Sequence, residues 1–108
     1  MQTIYEVTKD EILNFLREYK KSSKNKFFSK VSLFGSFVRG DDDIYSDIDI
    51  VVKVDENALK NQDVWEYFES IRELKEEVLQ KFNLKSDVFD IDSSSSFIDS
   101  IKKDIAYV

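Results

Sequence analysis

The residues of this sequence best suited to chemistry lie in one stretch, Phe34 to Val52, which runs F-G-S-F-V-R-G-D-D-D-I-Y-S-D-I-D-I-V-V. Gly35 and Ser36 follow a short apolar run, and after ten intervening residues come Asp47 and Asp49. Gly35 lets a backbone approach a phosphate closely, and Ser36 offers a hydroxyl and an N–H at what could be a helix start. Two carboxylates two residues apart on a strand share one face, with about 6.5–7 Å of backbone between them. From that distance they can converge on metal ions. A pair of ions about 3.5–4 Å apart stabilises the attacking and leaving oxygens of phosphoryl or nucleotidyl transfer. Arg39 is a candidate phosphate contact, because its fork matches phosphate oxygens. Each signal alone is common in loops and surface strands; the combination at this spacing is far more specific.

The elements that must position these residues follow from local pattern. Val31 to Phe34 belongs to a strand spanning Phe27 to Phe34 that Gly35 stops. A second strand covers Ile44 to Val54, with Ile48, Ile50, Val52 and Val54 on the core face and Asp47, Asp49, Val51 and Lys53 on the other. Asp disfavours strand interiors, so two in one strand is a cost that signals a task. Whether Lys53 serves the same site or snorkels at its edge is open. Asp41, Asp42 and Asp43 would repel one another if buried and are assigned to a solvent-facing loop.

Elsewhere, Thr8 to Glu11 forms a capping box ahead of an amphipathic helix over 9–20, with Ile12, Phe15, Leu16 and Tyr19 inward. Lys20, Lys21 and Lys24 suit the end of that helix. A polar connection over 55–62 leads to the longest helix, 63–82, capped by Asp63. Its predicted core stripe is Val64, Tyr67, Phe68, Ile71, Leu74, Val78 and Phe82. A third strand is expected over 87–91. The serine run 93–96 fits a flexible linker or a loop leading to a helix cap, with Ser96 and Asp99 favouring the cap; Phe97, Ile98, Ile101 and Ile105 would line a last helix, and Ala106 to Val108 fits an edge strand or partner contact. The lead-in over 1–7 is expected to be extended or irregular.

Composition narrows the chemistry. The 108 residues suit a single domain, 1–108, and their 42% hydrophobic content supports a folded core. There is no Cys and no His, which removes thiolate and imidazole ligands, Cys nucleophiles and imidazole acid–base catalysis. Any metal must be held by oxygen. The net charge of −6 argues against direct nucleic-acid binding through a basic surface, but not against a nucleotide held through a metal, and it suits a basic protein partner. No apolar run is long enough for a membrane span, and no signal peptide is evident, so a cytoplasmic location is expected.

Gly35-Ser36, ten residues, then Asp47-Ile48-Asp49 resembles the G-S-x10-D-x-D signature of the DNA polymerase beta-like nucleotidyltransferase superfamily. The longer run G-S-F-V-R-G…S-D-I-D-I-V-V is similar to its minimal nucleotidyltransferase (MNT) branch. The resemblance implies an α/β (α+β) nucleotidyltransferase fold, a small mixed sheet with helices packed on one face. It implies that Asp47 and Asp49 hold two magnesium ions and that Gly35 and Ser36 grip the β- and γ-phosphates of ATP. A third carboxylate would complete the metal site and act as general base. Asp87, in Lys85-Ser86-Asp87-Val88, matches the family pattern, with Asp90 as the alternative. Larger relatives add a helical domain over the base and acceptor; here the second wall is expected from elsewhere. MNT proteins commonly pair with an all-helical HEPN toxin as hetero-oligomers. The implied activity is therefore protein adenylyltransfer (AMPylation), moving AMP to a tyrosine of that toxin and making this chain the antitoxin. Two alternatives stay open: a silent antitoxin acting by binding alone, and transfer to a small-molecule hydroxyl such as an aminoglycoside.

Overall fold

The computed structural model of the chain describes residues 7–40, 47–60, 64–92 and 105–107. Helix α1 spans Lys9–Lys21, β1 Phe28–Phe34, α2 Ser36–Arg39, β2 Ile48–Val54, α3 Glu56–Lys60, α4 Val64–Phe82, β3 Ser86–Asp90 and β4 Ala106–Tyr107. The strands form one sheet in the order β3-β2-β1-β4. β1 is antiparallel to β2 and β4, whereas β2 and β3 run parallel, joined by a crossover that contains α3 and α4. The expected α/β fold with a small mixed sheet is the one observed.

Local chemistry sets the ends of these elements. The Thr8 hydroxyl accepts from the Glu11 N–H at 3.2 Å, capping α1 as the capping box predicts. At the other end the Ser22 N–H and hydroxyl both donate to the Tyr19 carbonyl. Asn25 then ties helix to strand: its amide donates to the carbonyls of Lys20 and Phe28, and its oxygen accepts from the Phe28 N–H. α4 stops at Asn83, whose φ of 56° is the left-handed conformation that asparagine tolerates.

The core lies between the helices and one face of the sheet. Ile12, Leu16 and Tyr19 of α1 and Leu74, Val78 and Phe82 of α4 pack on Val31, Leu33, Ile48, Ile50 and Val52. The opposite sheet face carries a smaller cluster, with buried Phe34 and Val51 packed by Phe89, Ile91 and Ile105. Val51 therefore departs from its assignment to a non-core face: its strand neighbours cover it, and the Phe34 and Phe89 rings meet edge to face at 5.5 Å.

Several boundaries differ from expectation. The connection after β2 contains α3, a helix too short to show a period, started by Asp55 accepting from the Asn57 N–H at 2.9 Å. β1 begins at Phe28 rather than Phe27, β3 covers 86–90 rather than 87–91, and Ile105 precedes β4 instead of ending a helix. Of the predicted α4 stripe, Tyr67, Ile71, Leu74, Val78 and Phe82 pack on the core, whereas Val64 and Phe68 do not and are 58% and 56% exposed. The readings at 1–6, 41–46, 93–104 and Val108, and the Asp63 cap, lie outside the described residues.

The Thr8 cap supplies the first test. Thr8→Ala should cost about 1 kcal/mol and lower the melting temperature by about 4–8 °C, measured by circular dichroism.

Candidate active site

Strand register gathers the predicted acids. Asp49, near the start of β2, is the antiparallel partner of Phe34 and the parallel partner of Asp87. Directly paired residues project to the same face, so Asp49 and Asp87 stand side by side on adjacent strands, on the face that α1 and α4 do not cover. Asp47 lies one residue before β2 and is exposed, as is Asp87, whereas Asp49 is half-buried. Its carboxyl is held above the ordinary carboxylate range, first by burial and then by the charges of Asp87 and Asp47, with Arg39 opposing the shift. Asp47, Asp49, Asp87 and Arg39 thus share one electrostatic neighbourhood.

Asp90 does not belong to it. Asp90 pairs with Val52, which puts it on the helix-bearing face, where its charge helps raise the Tyr67 hydroxyl above its usual range, second to burial. Of the two expected third carboxylates, Asp87 alone shares the face of Asp49. Lys53, also on the Asp49 face, reaches Asp92 at 3.3 Å.

Gly35 is the turn between β1 and α2. Its φ of +85° is a conformation that side chains strain, and its carbonyl accepts from the Val38 and Arg39 N–H groups at 3.0 and 3.1 Å. A Cβ at Gly35 would overlap the Asp49 Oδ2 and stand 3.3 Å from the Asp49 Cγ. The glycine therefore leaves the space that the Asp49 carboxylate fills. α2 begins at Ser36 and ends at Arg39, so the short helix delivers Arg39 beside the acids. Ser36 is brought near the acids by sequence adjacency to Gly35.

The donor set is all oxygen, as a hard divalent cation needs, and the crowding of like charges is what such an ion would relieve. Among the described residues, no group of three acids is drawn in tightly enough to hold a metal by itself. Sequence alternation places Val51 on the acid face but gives no role to Phe34 or Phe89; together these three form the apolar floor beside the acids.

A cavity of about 290 Å³ lies elsewhere, between α1 and α4, lined by Tyr19, Lys24, Glu73, Glu76, Glu77 and Gln80. Burial and the charges of Glu77 and Glu73 push the Tyr19 hydroxyl up to about 12, and Lys24 pairs with Glu77 across the opening. This hollow is on the helix side of the sheet, away from the acid row.

Two outcomes follow from the geometry. Gly35→Ala should destabilise the chain by about 1–2 kcal/mol through the left-handed backbone alone, read as a lowered melting temperature. Asp87→Asn should instead raise the melting temperature in EDTA by about 2–5 °C, because it removes one of the charges crowding Asp49. A fall in EDTA would mean that the acids do not repel one another in the free protein.

Residues 10–106 match the family described as polymerase beta, nucleotidyltransferase. Over 79 residues the chain is 40% identical to the provisionally named protein adenylyltransferase MJ1379 of Methanocaldococcus jannaschii, covering 68% of this chain and 79% of that protein. Over 85 residues it is 34% identical to protein adenylyltransferase MntA of Thermococcus cleftensis, covering 76% and 86%. In three dimensions it resembles a chain from a crystal structure of a toxin-antitoxin with AMP-PNP, with a TM-score of 0.57, 22% identity, and coverage of 94% of this chain and 72% of that one. A match over nearly the whole sequence, relatives above 30% identity and the shared fold have one reading: the chain belongs to the polymerase beta nucleotidyltransferase family.

Proposed function

We propose that this chain transfers AMP from ATP to a hydroxyl, a tyrosine side chain, of a HEPN-type toxin, and so acts as the antitoxin of a toxin–antitoxin pair. The observation that carries the reading is the acid row, Asp47, Asp49 and Asp87, beside the Gly35 turn. Two relatives bear the name protein adenylyltransferase, and the toxin-antitoxin structure contains an ATP analogue, which supports both the nucleotide and the setting.

In this reading Asp47, Asp49 and Asp87 are the residues that would hold magnesium together with the nucleotide. The metal, when bound, neutralises phosphate and carboxylate charge together and lowers the pKa of the attacking hydroxyl. Gly35 and Ser36 bind the β- and γ-phosphates, and Arg39 contacts phosphate as a bidentate donor. Asp87, exposed at the edge strand, is open to a hydroxyl from outside and takes its proton. The hydroxyl oxygen forms a bond to the α-phosphorus as the bond to the bridging oxygen breaks, and pyrophosphate leaves. Most of the rate comes from positioning and charge stabilisation.

The test is to incubate the purified chain with ATP, magnesium and a HEPN-type protein from the adjacent reading frame, then read intact mass. The partner should gain one or more AMP units at a tyrosine, and Asp47→Asn should slow this by about two orders of magnitude or more. A stable complex without mass change, while ATP binds, would leave neutralisation by contact as the function. Modification of an aminoglycoside instead of the protein would move the acceptor to small molecules.

A further inference from the structure

Helix α4 carries apolar side chains on two sides. One side, with Leu74, Val78 and Phe82, is buried against the sheet. At 3.6 residues per turn, Trp65, Phe68, Arg72, Glu76 and Leu79 fall within one sector of about 80° on the far side. Trp65 is 76% exposed, Phe68 56% and Leu79 46%. A helix on the surface of a lone domain turns polar groups outward, so this second apolar stripe is work for something beyond the chain's own core.

The stripe is also held in shape. The Phe68 ring meets Tyr67 edge-on at 5.3 Å, and Tyr67 packs in turn on Phe27 and Phe28 of the core. Arg72, between Phe68 and Leu79, is gripped from both sides, by Glu69 at 2.7 Å and Glu76 at 2.9 Å. Trp and Arg are the residue types that most often carry protein–protein binding energy, and aromatic residues such as Phe are enriched at interface cores. From residue 65 to residue 79 the stripe is about 21 Å long.

Charge selects the occupant. Glu66 and Glu73, together with Glu69 and Glu76 that also hold Arg72, form an exposed acidic ridge along one flank of the stripe, on a chain of net charge −6. A second copy would set that ridge against an equally acidic molecule, whereas a basic protein would complement it. We propose that the Trp65–Phe68–Arg72–Leu79 stripe of α4 is the docking surface for the partner protein, which meets it with an apolar patch rimmed by Lys and Arg. This rests on the reading that the chain acts on a partner protein, and it adds where that partner binds.

The experiment is calorimetric titration of the full chain with the HEPN-type protein, comparing wild type with a Trp65→Ser/Phe68→Ser double variant. Both positions are exposed, so circular dichroism should show the fold retained, and Leu79→Ser serves as an independent second variant. The double variant should bind about 30-fold or more weakly, while its thermal shift with magnesium and ATP stays that of wild type. Binding by both variants within threefold of wild type would overturn the docking surface and leave the transferase reading intact. Failure of the wild-type chain to bind would overturn both. Sedimentation showing a dimer of the chain alone that dissolves on substitution would reassign the stripe to a second copy and overturn the basic partner.

Discussion

The candidate site depends on the pairing of Asp49 with Asp87 across two parallel strands, beside a glycine with no side chain. Three acids in one neighbourhood repel, and the half-burial of Asp49 deepens the cost, so its carboxyl resists ionisation. No local preference of the chain would select that arrangement. It persists because the strands that carry it are fixed in register by what lies around them.

Two apolar layers do the fixing. Behind the sheet, Ile48, Ile50 and Val52 alternate with the acid-face residues and are fully or almost fully buried under α1 and α4. A slip of one residue would drive Asp49 into that core and is therefore forbidden. On the acid face itself, Val51 and Phe34 lock to Phe89, the residue two beyond Asp87. The register that pairs Val51 with Phe89 is the register that pairs Asp49 with Asp87. Packing energy that has nothing to do with chemistry thus holds the charges together.

Much of this was legible. The alternation from Ile48 to Val54 named the face of Asp49, although β2 begins one residue after Asp47, and the capping box at Thr8 named the start of α1, because both are local signals written over a few residues. The choice between Asp87 and Asp90 was not settled by spacing, since it turns on which face of β3 meets Asp49, and face depends on a register that only β2 supplies. The α4 stripe shows the limit of periodicity from the other direction. Val64 and Phe68 continue an apolar period perfectly well, yet a period states that a face is apolar and not that this chain covers it. α3 was invisible because five residues are too few to show a period, and Asn25 because its three hydrogen bonds join a helix to a strand rather than marking either.

The layering constrains how a partner anchored on α4 could present a hydroxyl to the acids. The exposed stripe of α4 faces away from the sheet, and the acid row faces out of the other side of it. At least a helix diameter, about 10–12 Å, separates them, plus the sheet itself. The two edges offer unequal routes around. Past β4, a chain must cross β1 before reaching Asp49 on β2, whereas past β3 it meets Asp87 at once. α4 also packs on β3, so its outward face and that edge are neighbours. A partner that docks on α4 therefore reaches the site most directly over β3, and it must do so with a segment that leaves the docked surface and turns. A single straight helix lying on α4 cannot make both contacts. If the partner docks on α4 as proposed, binding and transfer would be separate events on separate surfaces, with the acceptor hydroxyl on an arm or loop rather than among the residues that dock.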